Sequence, residues 1–333
     1  MTIPALVAHA DWSMHAAKRW MASAVLGPEG YLALPATPVG ALESFWAGLA
    51  TAAGTGPIVV GFDFPIGLPA VYAERAGITD FLEALDGFGV DFYEIARTPA
   101  ELALTRPFYP HRPGGRSRRQ LLDGLGMVGW HQLHRRCDRS TPERRAACPM
   151  LWTLGANQVG RAAITGWRDL LAPARREHLD LAIWPFDGAL ADLLATRRFL
   201  VAEAYPGEMY GHLGVELRTH GGKRRQAARI ANAGRLLAWA ERAKVALAPE
   251  LCTDIACGFG SDPGADDRFD AVVGLFGLLN VLCGHRPSGE PDEAVVRRIE
   301  GWIVGLDGSD ALDVGSPSGR AQPDGDNGRQ GML

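Results

Sequence analysis

Five acidic residues sit where short apolar runs end or where a helix begins, and their chemistry is that of hard oxygen ligands. Asp11 closes the apolar run Ala5 to Ala10. Asp63 closes a β-branched run in the stretch I-V-V-G-F-D-F-P-I-G-L-P, residues 58 to 69. Glu203 lies in the run F-L-V-A-E-A-Y-P that begins at Phe199. Asp267 and Asp270 are three residues apart at the start of a helix, so their carboxylates share one face. Each has an ordinary structural explanation when taken alone. Asp63 can cap the following turn, and acids in a first helical turn are favoured by the helix dipole. Four or five carboxylates at one place are another matter, because like charges raise each other's proton affinity unless cations lie between them. Oxygen donors of this kind select Mg²⁺ or Mn²⁺. Two such ions, roughly 3.5–4 Å apart, position a water and stabilise the leaving oxygen in phosphodiester cleavage.

A second chemical feature is basic. Between Arg106 and Arg145 there are ten arginines against three acids, Asp123, Asp138 and Glu143. Such a run is either a solvated helical face or a phosphate-contacting surface. On the second reading Arg112, Arg116, Arg118, Arg119 and, further on, Lys223 are candidate nucleic-acid contacts. His131, His134, Cys137 and Cys148 have zinc-binding atoms, but their spacing is not that of a zinc site, and a helix would spread the first three widely round its axis. The segment Trp152 to Gly160 either lines the site or makes a tight helix contact through its glycines.

The order of these motifs is similar to that of the DUF429 family, described as predicted nucleases of the ribonuclease H-like fold. The resemblance is carried by the first-strand Asp11, D-F-P-I-G-L-P, V-A-E-A-Y-P, Lys223, D-D-R-F-D-A-V-V-G-L and Glu300-Gly301-Trp302-Ile303, and spans residues 5 to 305. The order of acids also resembles the Holliday-junction-resolvase branch of that superfamily. The resemblance implies a metal-dependent nuclease in which Asp11, Asp63, Asp267 and Asp270 hold the metal. Glu203 matches the family's E-x-Y-P element as ligand or as support. One departure is Trp12-Ser13, where the resemblance leads to small or glycine-like residues.

Several elements must position these residues. Ala5 to Ala10, Trp20 to Leu26 and Tyr31 to Leu34 read as an antiparallel meander, with Gly27-Pro28-Glu29-Gly30 as a turn. Residues 38 to 53 have helical spacing and lead to the Asp63 strand, which is expected beside the first and parallel to it. Residues 71 to 196 read as a mostly helical insertion, expected to cover the carboxylate end of the sheet. The core resumes from 197 to 307 with the Glu203 strand, a basic helix from Lys223 to Ala246, an apolar helix beginning near Asp266, and a last helix from about 292 to 304. Residues 308 to 333, rich in Gly, Pro, Ser and Asp, are expected to be a disordered tail. The fold class expected is α/β: a ribonuclease H-like mixed five-stranded sheet flanked by helices, residues 1 to 70 completing the core.

Bulk composition narrows the function. In 333 residues, hydrophobic content of 47% and charged content of 22% are those of an ordinary globular chain. A net charge of −4 gives no global nucleic-acid signature, so such a role rests on local patches. Five irregularly spaced cysteines favour reduced thiols. With no signal-peptide pattern and no window long enough to span a bilayer, the expected place is the cytoplasm, without a membrane partner. The leading expectation is thus a nuclease or phosphodiesterase using Mg²⁺ or Mn²⁺, with DNA or RNA as partner. Two rivals are a non-catalytic nucleic-acid-binding module and a phosphotransferase related to sugar kinases and actin-like ATPases. The latter needs paired glycine-rich phosphate loops on duplicated domains, and neither a second core nor a Gly-x-Thr or Gly-x-Ser loop after Asp11 is present.

Overall fold

The computed structural model describes residues 2–89, 95–112, 114–154 and 159–308. Its centre is β1 (Leu6–Asp11), every residue of which is buried. Leu6, Ala8 and Ala10 face one apolar core and Val7 faces the other, so the strand is covered on both sides, as its near-continuous apolar run requires. β5 (Ile58–Phe62) lies parallel to it in register, Leu6 opposite Ile58 and Ala10 opposite Phe62. β7 (Phe199–Glu203) lies parallel on the far side of β5, Phe62 opposite Glu203. β2 (Trp20–Gly27) and β3 (Gly30–Ala33) form the antiparallel meander, and Asp11 pairs with Trp20.

The sheet is mixed and has eight strands where five were expected. The additions are β4 (Thr37–Pro38), β6 (Leu181–Ile183) and β8 (Ala246–Leu247), giving the order β6-β7-β5-β1-β2-β3-β8 with β4 paired to β2. Two or three residues are too few to show a period of two. β6 comes from within residues 71–196, so that stretch also supplies a sheet edge.

Helices α1 (Phe45–Ala53), α2 (Ala70–Ala76), α3 (Phe81–Ala84), α4 (Arg118–Leu125), α5 (Val159–Gly166), α6 (Ala172–Arg176) and α7 (Leu190–Thr196) precede β7. Then come α8 (Pro206–His212), α9 (Gln226–Ala243), α10 (Pro249–Ala256) and α11 (Ala265–Leu282). The expected basic helix begins at Gln226, which leaves Lys223 on the turn before it. The expected last helix is reduced to one wide turn, Val296–Glu300, because Gly301 takes a φ of 67° and ends it. The candidate disordered tail from 309 onward lies outside the described residues.

α11 positions the site. From Phe269 to Val281 it is buried all round, as a helix crossing a core must be. It packs on β1, β2 and α8. The His9 imidazole on β1 fixes its place: Nδ1 lies 3.2 Å from the Ala271 carbonyl and Nε2 lies 2.9 Å from the Ala204 carbonyl. Gly274 makes the approach possible, since a Cβ there would stand 2.1 Å from the His9 ring.

Candidate active site

Asp11 ends β1 and Asp63 follows β5, and the parallel register of these strands brings both to one edge. The Asp63 amide donates to the Ala10 carbonyl at 3.4 Å, and the Asp63 Oδ1 accepts the Trp12 amide at 2.7 Å. Trp12 is buried against Phe62 and Phe64. Its indole Nε1 donates to Thr165 Oγ1 at 3.1 Å, and the Arg19 guanidinium lies 4.1 Å from the ring centre. Trp12 is therefore the brace that ties Asp63 to β1 and to the stretch after residue 71.

α11 brings the other pair. Asp270 is buried, and both its oxygens are engaged: Tyr210 donates its hydroxyl to Oδ1 and Lys223 its ammonium to Oδ2. Asp267, one turn earlier, is half-buried. The four carboxyls act on one another. Burial first, then the charges of Asp63, Asp270 and Asp267, push the Asp11 carboxyl well above the usual carboxylate range. Burial raises Asp63 to about 7, against hydrogen bonds from Trp12 and Asp11 and the charge of Lys223, which pull it down. Asp267 is raised by burial and by Asp266 and Asp270. Lys223 is raised as well: burial alone would loosen its proton, but the charges of Asp270, Asp11 and Asp63 outweigh that and hold it more tightly. Lys223 is thus a cation set among these acids, its charge acting on Asp11, Asp63 and Asp267 as well as on its partner Asp270.

Glu203 is not brought into this group. It is buried in an ion pair with Arg135, whose Nη1 and Nη2 donate to its two oxygens at 2.6 and 2.7 Å, and it also accepts the Ile66 amide at 2.8 Å. The same guanidinium donates to Asp138 at 2.9 Å and to the Glu300 carbonyl at 3.2 Å. Burial raises the Glu203 carboxyl and Arg135 opposes it. Its role here is to seat the Arg135 loop over the ends of β5 and β7. Glu300, singled out in the sequence, does similar work by accepting the amides of Ala70 and Arg136 at 3.2 and 3.0 Å.

Of the candidate nucleic-acid contacts, Arg112 is exposed. Arg116 donates to the Arg97 carbonyl at 3.1 Å, Arg118 stacks 4.6 Å over Trp130, and Arg119 pairs with Asp123 at 2.7 Å. Arg135 and Arg144 of the same run point inward instead, Arg144 to Glu208 at 2.7 Å. Lys223 faces the acids. Sequence reading missed Tyr210, which sits one turn into the helix after the E-A-Y-P motif, and it missed Arg135 as the partner of Glu203.

Among the described residues no three His, Cys, Asp or Glu side chains are disposed around one point as a ready cation cage. The donors are nonetheless the hard oxygens a Mg²⁺ or Mn²⁺ ion takes, and burial with neighbouring carboxylate charge raises the proton affinity of Asp11, Asp63 and Asp267, as befits a place where a further cation would be stabilised. Comparison of the chain with protein-family models, with curated proteins and with solved structures finds no match in any of the three.

Proposed function

We propose that the protein is a divalent-metal-dependent nuclease or phosphodiesterase, built as a ribonuclease H-like core and akin to the DUF429 family. One observation carries the reading: Asp11, Asp63, Asp267 and Asp270 come from two adjacent parallel strand ends and one helix start, and burial together with neighbouring charge raises the proton affinity of Asp11, Asp63 and Asp267. The strand order β3-β2-β1-β5-β7, with only β2 running opposite, supports the core assignment. Asp11, Asp63, Asp267 and Asp270 would hold Mg²⁺ or Mn²⁺, which when bound activates water and stabilises the leaving oxygen. The protein's own groups supply orientation: the Trp12 backbone amide fixes Asp63, and the Tyr210 hydroxyl fixes Asp270. Free thiols at all five cysteines support work in the cytoplasm, and no described helix is long and apolar enough to cross a membrane.

A second reading has its own observation. Among the described residues no three such donors surround one point, which favours a nucleic-acid-binding module without cleavage as the alternative. The test is cleavage of a panel of DNA and RNA substrates with Mg²⁺ or Mn²⁺, by the parent and by Asp11→Asn and Asp267→Asn. The expected outcome is metal-dependent cleavage by the parent and loss by orders of magnitude in the variants. A parent that neither binds Mn²⁺ nor cuts any substrate, yet retains nucleic acid on a filter, would establish the binding module instead.

A further inference from the structure

Lys223 reaches the acids from the rim of the site. Its side chain is 37% exposed, whereas that of Asp270, which it contacts, is 4% exposed. Its backbone is anchored on the other side, where the Lys223 carbonyl accepts Arg229 Nη1. That guanidinium is itself held by the carbonyls of Gly258 and Gly260 at 2.8 and 2.7 Å. Before it stand Gly221 and Gly222 with φ of 85° and 90°, a turn that side-chain-bearing residues adopt at a cost. The backbone is thus pinned while the long side chain is tied down at its tip by Asp270. On Asp270, Tyr210 donates to Oδ1 and Lys223 to Oδ2, so a cation that draws on Oδ2 meets the lysine there.

We propose that Lys223 is the site's resident counter-ion: it holds the metal-free carboxylates together and yields Asp270 Oδ2 when a divalent cation enters. The inference rests on the metal-site reading and adds a regulation to it. Cation entry and release of the lysine tip are one event, so the lysine sets a threshold for metal binding. A nearby ammonium repels an incoming cation, and the effect is large in a partly buried site. An ordinary salt bridge at the surface, or a lysine that only meets substrate phosphate, makes no such prediction.

The experiment is Mn²⁺ titration of the full chain by calorimetry, in the parent, Lys223→Met and Lys223→Arg, with melting of each metal-free protein. Lys223→Met keeps the side-chain length and removes the charge. It should bind Mn²⁺ about tenfold more tightly or better, melt lower without metal, and gain more on adding it. Lys223→Arg keeps the charge and should stay near the parent in affinity, which supplies a comparison if the methionine variant folds poorly. Unchanged or weaker Mn²⁺ binding by folded Lys223→Met, beside a parent that binds, would overturn the counter-ion role and leave the metal site standing. Tighter binding by Lys223→Arg than by the parent would overturn it as well. No Mn²⁺ binding by any of the three would bring down both the inference and the metal reading.

Discussion

Asp63 is held at its strand end by the Trp12 amide and a hydrogen bond with Asp11, while burial and, after it, the Asp270 charge raise its proton affinity. In the folded, metal-free protein it keeps its proton up to about 7, whereas the unfolded chain loses it near the ordinary value of 3.8. Between these values the folded state binds more protons than the unfolded one. The contribution of this group to stability therefore falls as pH rises through that window. Asp63→Asn removes the effect while its Oδ1 still accepts the Trp12 amide. The variant should melt like the parent near pH 4, gain on it progressively towards pH 7, and hold the gain above that, while cleavage is lost. Melting curves at a series of pH values in a chelating buffer read this out, and a difference that shrinks as pH rises would refute it. Arg135 is the opposite case, a cation fully buried between Glu203 and Asp138. Removing one partner of such a pair leaves charges stranded, which costs about 3–5 kcal/mol. Arg135→Ala should show that loss in denaturant unfolding. A loss below about 1 kcal/mol would mean that water reaches the pair.

At the scale of elements, the strands that carry Asp11 and Asp63 were readable because β-branched and apolar runs end at proline, glycine or a charged residue. Their parallel pairing followed from the order meander, helix, strand. The helix pair was readable too, since a spacing of three puts Asp267 and Asp270 on one face. Less legible was anything set by contacts distant in sequence. Arg135 finds Glu203 across 68 positions, and no local period marks it. For the same reason a count of arginines between 106 and 145 did not separate Arg135 and Arg144, which are buried, from those facing outward. The start of the basic helix was misjudged because Gly221 and Gly222 form a turn that places Lys223 outside α9 and against the acids. Within α4 and its N-cap region the partners now distinguish the candidates. Arg119 is taken by Asp123, whereas Arg118 lies over Trp130, a platform on which a base can stack. Arg118→Ala should weaken binding of a single-stranded oligonucleotide and lower the salt slope by about one, with Arg119→Ala near the parent. Fluorescence anisotropy across a salt series separates the two, and equal effects would reduce this face to a solvated surface.

At the scale of the whole molecule, the site exists because α11 lies close enough on β1 for Asp267 and Asp270 to reach Asp11. Two glycines on that helix let it seat closely, Gly274 on β1 and Gly277 on α8, and their surroundings differ. A Cβ at Gly274 would meet the His9 imidazole at 2.1 to 2.3 Å. That ring is fully buried with a carbonyl at each nitrogen, so it has no rotamer to retreat to. A Cβ at Gly277 would stand 2.2 Å from the Met209 sulfur, but a thioether chain with three rotatable bonds can repack. Alanine gains about 1 kcal/mol over glycine in a helix interior, and overpacking costs typically 1–3 kcal/mol or more. For Gly277→Ala these nearly cancel. For Gly274→Ala the overpacking wins, and the relief available is to lift the N-terminal half of α11 off β1. The expected result is therefore double: Gly274→Ala melts lower and loses Mn²⁺ affinity, because Asp267 and Asp270 move away from Asp11 and Asp63, while Gly277→Ala keeps both. A Gly274→Ala variant that is destabilised but binds Mn²⁺ like the parent would show that the acids tolerate displacement of the helix. The tight seating of α11 would then matter to stability alone.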